Sequence, residues 1–416
     1  MWKEIQMTKA EKLKQGLKEF FTRNLIIIIL VRCGITITDQ MINGVQGRIG
    51  DGIGVPAALI GALTSVLMIV RIVTRAPAGS FTDNGSKRNV LIFGCLVKAI
   101  AMLCYGFAGN TVMFAIARVL QGFSGAFLGV AVPAIFGITL KRETMGFAFA
   151  IYSAMETLCN NFGRPIGLSI YGALGQKALG ITIAVITLCV LALSMLLDFK
   201  KIEKELQAVR DAKKQTGKKK SIFDGLLVKA LPIAIPIAIP MIVWTADGIY
   251  FPCYTDSLGI NPTFMLYAAG VIASIMALLT PIISNIIGAK WTSIICYSCR
   301  VAACFIIGAA ATTGMMTAGV LVNSLGECYD VPLVLLALSI FPKTEFGAFY
   351  ATMYLMMDIS GVIAGFLAGP LASLSYSLMY YVLGGITLAG LISIIFAVRK
   401  YSAIANSANK NSEQEG

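Results

Sequence analysis

The chain has 416 residues, 57% of them hydrophobic and 13% charged, with a formal net charge of +13. A soluble domain carries about 25% charged residues, so the composition excludes a soluble globular protein and leaves an integral membrane protein. Nor does the positive charge mark a nucleic-acid surface. Nine Lys and Arg fall between Lys200 and Lys220 and six in the first 23 residues, with no interleaved aromatic platform; basic loops of this kind follow from membrane topology.

Residues 1–23 form a polar segment with mixed acids and bases, unlike a cleavable signal peptide. The first apolar run is therefore expected to stay as an anchor. About twenty apolar residues cross the hydrocarbon core as a helix, and marking such runs predicts twelve spans. The first six cover 24–43, 54–77, 89–108, 111–138, 145–171 and 178–198. The second six cover 227–251, 263–287, 291–313, 317–340, 346–370 and 378–398. The domains expected are a six-helix bundle over 24–198, a polar linker over 199–225, a second bundle over 226–398 and a tail over 399–416. The fold class is all-α integral membrane, with twelve transmembrane helices in two pseudo-symmetric bundles.

Loop charges predict the orientation. The side holding both termini carries 24 Lys or Arg, and the opposite side carries two, Arg48 and Lys177. The positive-inside bias puts both termini in the cytosol, with the protein multi-pass in the inner or plasma membrane. The Lys-rich end of the linker is expected to meet anionic lipid headgroups.

Ten cysteines and no histidine are present. Cys296 and Cys299 have a metal-like spacing but lie inside an apolar run without a second pair, so no metal site is expected. No phosphate-cradling loop or clustered nucleophile and base appears. These features argue against an enzyme, and no cofactor is expected.

The two halves carry a repeat. A shift of 202 residues pairs Asp83 with Asn285, Arg88 with Lys290, Lys98 with Arg300, Gln121 with Asn323 and Glu156 with Asp358. Rare polar residues recurring at matched depths indicate duplicated halves.

Ionisable residues inside spans are costly and point to function. They fall in stripes at helical spacing. Span 1 has Arg32, Thr36, Asp39 and Asn43; span 4 has Arg118 and Gln121; span 5 has Glu156, Asn160 and Arg164. Span 7 has Trp244 and Asp247, and span 10 has Asn323, Glu327 and Asp330. Pro232, Pro236 and Pro240 in span 7 read either as a fixed kink or as a hinge. Gly361, Gly365 and Gly369 in span 11 present a smooth face for close packing.

Three short motifs resemble signatures of the major facilitator superfamily. Between spans 2 and 3, Gly79, Asp83, Lys87 and Arg88 occupy four places of its loop signature, with Ser86 where a glycine is usual. Span 4 carries Arg118-Val-Leu-Gln121-Gly122 intact, whereas span 5 reads "NNFGRPIG", with Arg164 intruding into the drug-antiporter pattern. The resemblance, strongest to the drug:proton antiporter branch, implies a secondary transporter with alternating access. Its expected activity is proton-coupled efflux of drugs or small amphipathic metabolites; the alternative is proton-coupled uptake or exchange of a small organic anion or sugar. Its partners would be a small-molecule substrate, protons and membrane lipid, in a monomer.

In that family spans 1, 4, 7 and 10 line the cavity. The resemblance then implies proton coupling through Asp39, Arg118, Glu156 and Asp358, with Asp39 facing Arg118. It implies substrate binding by Arg32, Gln121, Trp244, Asp247, Asn323, Glu327 and Asp330, and a conformational latch at Gly79, Asp83, Lys87 and Arg88. Spans 3 and 9 are peripheral, so Lys98 and Arg300 are expected to snorkel toward the interface.

Overall fold

The computed structural model describes the backbone of residues 22–84, 86–139, 145–200, 228–340 and 346–414. The predicted linker therefore lies almost wholly outside the described residues, as does the N-terminal segment. Apolar runs of about twenty residues become helices because a hydrocarbon core leaves backbone groups no partner but each other. Ten helices among the described residues are long and apolar enough to cross a membrane.

Two details reconcile ten helices with twelve expected spans. The helix Met145–Ser194 has 50 residues and folds at Gly175, whose φ of 81° is open only to glycine without strain. Spans 5 and 6 thus form a hairpin, and Gln176 ties its turn to span 3 by donating to the carbonyls of Tyr105 and Ala108 at 2.8 and 2.9 Å. Span 10 is split into two short helices, Thr313–Leu325 and Asp330–Ile340. Gly326 permits the break to lie on span 9: a Cβ there would overlap the carbonyl oxygen of Cys296 and the stem of Arg300.

Span 1 is the helix Arg23–Asn43, continued after Gly44 by the short helix Gln46–Gly52. Span 2, Ala57–Asn84, runs seven residues beyond its expected end and makes most of the signature loop helical. Lys87 at the start of span 3 closes it, donating from Nζ to the Thr82 carbonyl at 3.0 Å, where a cation suits the negative end of a helix.

Span 7 comprises a 3₁₀ turn at Val228–Ala230, then Leu231–Ala238 and Pro240–Ser257. Pro240 has no N–H to donate to the Pro236 carbonyl. Tyr297 of span 9 donates its hydroxyl there instead, at 2.8 Å, and Tyr329 donates to the Ile237 carbonyl at 2.9 Å. The bend is held by the hydroxyls of two buried tyrosines, which favours the fixed kink over the hinge. Span 8 is Thr263–Ile287 and span 9 is Ala289–Gly308, joined through Gly288 at φ 86°. Spans 11 and 12 are Phe346–Leu374 and Tyr376–Gln414.

The halves meet along three seams: span 2 on span 11, span 5 on span 8, and the short helix Gln46–Gly52 on span 7. Small residues permit the approach. A Cβ on Gly365 would overlap Ser65 Oγ and the Gly61 carbonyl, and one on Gly47 would overlap the Ile249 carbonyl.

Candidate translocation site

Between the halves lies a cleft walled by span 5 on one side and spans 7, 8 and 10 on the other, with about 80 Å³ of room for water. Its polar lining includes Asn160, Arg164, Trp244, Asp247, Asn323 and Glu327. Gly163 and Gly167 let span 5 press on Gln40 and Met41 of span 1, and this contact turns Arg164 toward the seam.

The Arg164 guanidinium lies over the Trp244 ring, 4.4 Å from its centroid. It donates to the Gln40 side-chain oxygen and to the Trp244 carbonyl, both at 3.3 Å. Gln40 also donates to Asn160 Oδ1 at 3.0 Å. Arg164 has no ion-pair partner among the described residues.

The facing wall is acidic. Asp247 accepts from the Tyr380 hydroxyl at 2.7 Å. Glu327 sits in the break of span 10, 3.3 Å from Arg300, which is 1% exposed and lies over Tyr329. The span 10 stripe ends at that break: Asp330 begins the next helix and is absent from the cleft lining.

A profile of the Major Facilitator Superfamily matches residues 26–286. The chain belongs to the major facilitator superfamily. Over 139 residues it is 28% identical to the staphylopine export protein of Staphylococcus aureus, a match covering 33% of this chain and 35% of that one. It is 22% identical over 338 residues to the MFS-type transporter YhhS of Escherichia coli, covering 76% and 77%. The chain thus spans about a third of the first relative and about three quarters of the second. Among solved structures, the nucleoside transporter NupG superimposes with a TM-score of 0.67 at 11% identity, over 90% of this chain and 99% of that one. As a member of this superfamily the protein is a multi-pass membrane transporter of small molecules, not an enzyme.

The other charges pair differently from expectation. Asp39 does not face Arg118: it accepts from Lys98 at 2.9 Å, and Lys98 also donates to the Ile35 carbonyl at 2.8 Å. Lys98 and Arg300 do not snorkel, each being 1% exposed. Both turn inward because a carboxylate of a neighbouring span offsets their desolvation better than the distant interface could.

Arg118 donates to Gln46 and lies 5.2 Å from the Phe114 ring centroid; its Nε and Nη2 are buried without a partner among the described residues. Gln121 accepts from Tyr105 at 2.6 Å. Arg32 pairs with Glu156 inside the first half. Asp358 of span 11 crosses the seam to Arg75 at 2.5 Å and Arg71 at 4.0 Å in span 2. Of the expected substrate set, then, Trp244, Asp247, Asn323 and Glu327 share one cleft, and Arg32, Gln121 and Asp330 are absent from its lining.

Gly79 lies on span 2 with open space around its Cα, and Arg88 is exposed. The Asp83 side chain lies outside the described residues. Gln40, Gln46, Arg71, Arg75 and Tyr380 lay outside the expected set. Their only signal in the sequence was polarity within an apolar run.

Proposed function

We propose that the protein is a secondary active transporter that exports drugs or small amphipathic metabolites by alternating access, driven by the proton gradient. The observation that carries this is the charge-lined cleft at the seam between the halves. Ionised groups held in a membrane interior are costly, and a solute path between moving halves is the function that repays them. A relative named as an export protein supports the direction.

Proton coupling is assigned to the set Asp39, Arg118, Glu156 and Asp358. Asp358 is the member whose ion pair spans the halves, so its protonation would remove the attraction to Arg75 and free one seam. The arginine of the cleft favours a second reading, uptake or exchange of a small organic anion or sugar. Both readings place the protein in the inner or plasma membrane as a monomer, with cytosolic termini and basic loops against lipid.

Proteoliposomes with an imposed pH gradient test the proposal. Cationic dyes moving against the gradient would support export, and organic acids accumulating with it would favour the second reading. Flux that ignores the gradient in wild type would remove proton coupling. In Asp358→Asn, gradient-driven flux should disappear while counterflow exchange persists.

A further inference from the structure

The charges of the cleft are divided between its walls. The cation, Arg164, comes from span 5 of the first half, while both carboxylates, Asp247 and Glu327, come from spans 7 and 10 of the second. They do not neutralise one another by contact. Arg164 makes two hydrogen bonds at 3.3 Å, and its Nη1 donates to nothing among the described residues. Asp247 has one oxygen engaged by Tyr380, and Glu327 one by Arg300. The second oxygen of each has no partner among the described residues.

Asn323 adds an independent observation. Its Oδ1 is buried without a hydrogen-bond partner among the described residues, and the residue lines the same cleft beside Glu327. A buried acceptor left without a donor is unfavourable, so a donor from a ligand is the chemistry it lacks. The formal charges also close once the partner behind the lining is counted: Arg300, outside the cleft, pairs with Glu327 at 3.3 Å, and Arg164 and Asp247 offset one another across the cleft. In a poorly hydrated site a solute with net charge would leave one charge uncompensated. A solute carrying both signs would not.

We infer that the cleft binds a small zwitterion, its carboxylate on Arg164 and its protonated amine against Asp247, Glu327 and the Asn323 carbonyl. Trp244 holds the guanidinium flat, so that one edge stays open to a carboxylate in two-pronged fashion. Phe251 and Val320 receive the apolar body. Such a solute touches both halves at once and draws them together. This rests on the transporter reading of the cleft and holds for either direction of transport.

Binding by the purified full-length protein in detergent tests it, with thermal shift and calorimetry as readouts. The probes are free amino acids, apolar dipeptides and N-alkylated amino acids, each beside its amide, which keeps only the cation, and its N-acetyl form, which keeps only the anion. At least one free zwitterion should raise the Tm by several degrees, with both capped forms binding at least tenfold more weakly. Arg164→Gln should weaken the zwitterion at least tenfold and leave its amide unchanged. A capped form that binds as well as its parent would overturn the inference, as would a panel in which no zwitterion binds. The transporter reading is judged separately in vesicles: a capped cation both bound and carried would sink the zwitterion and spare the carrier.

Discussion

Arg48 and Asp256 hold the two halves together by a two-pronged ion pair, Nε to Oδ2 at 2.7 Å and Nη2 to Oδ1 at 2.5 Å. Arg48 lies on the short helix after span 1, and Asp256 in the last turn of span 7. The pair ties the halves at the face where these spans finish.

Asp256 is 48% exposed, and exposed pairs are worth about 0–1 kcal/mol. Removing the pair should therefore bias the conformational equilibrium without unfolding the protein. We predict that Asp256→Ala raises the open population at this face about two- to fivefold. Spin labels at Asp51 and Asn261 would register this as a longer-distance component. Unchanged distances, with the labels shown to be mobile, would count against a gating role.

The buried Lys98 depends on Asp39 more than Asp39 depends on Lys98. Lys98 is 1% exposed, whereas the Asp39 side chain is 36% exposed and keeps some contact with water. Stranding the buried cation costs up to about 3–5 kcal/mol, less here because water screens the pair. Asp39→Ala should therefore lower the Tm more than Lys98→Met does. The double variant should recover part of the loss, since the two effects are not independent. Equal losses that simply add would refute the pairing.

Gly365→Ala should destabilise the protein even though alanine favours helix by about 1 kcal/mol. The new methyl would meet the Gly61 carbonyl and Ser65 Oγ across the seam of spans 2 and 11, and overpacking typically costs about 1–3 kcal/mol. Gly385, where a Cβ meets open space, is the control: its alanine variant should melt at or above the wild-type temperature.

Tyr297→Phe should leave the Pro236 carbonyl unpaired in the core of the second half. The expected loss is about 1–3 kcal/mol, read as a fall in Tm. If the bend is fixed, substrate affinity in the surviving protein should be unchanged; a variant with wild-type Tm and altered turnover would restore the hinge.

Much of this architecture was legible in the primary structure because crossing a membrane demands long apolar runs, and Asp247 and Glu327 stood out in those runs. Ion-pair partners were not. Lys98 and Arg300 match in the repeat, but their acids do not: Glu327 corresponds to Gly125 and Asp39 to Met241. Helical spacing on one span says nothing of which neighbour a long side chain will choose. The break in span 10 was equally hidden, since a lone Gly326 carries no sign that Arg300 would pack beneath it. The extension of span 2 was obscured by Pro77, which usually ends a helix.

If the halves rock as proposed, the bearing of Gly47 on Ile249, close to where span 1 passes into its short continuation, leaves the two mouths with unequal lever arms. A tilt of about 10° about such a fulcrum displaces the far face by roughly 5 Å across a hydrocarbon core about 30 Å thick, while the near face scarcely shifts. The near mouth is held by the grip of Arg48 on Asp256 and by the Tyr250 hydroxyl on the Ala57 carbonyl at 2.8 Å, so the wider excursion would fall to the opposite mouth.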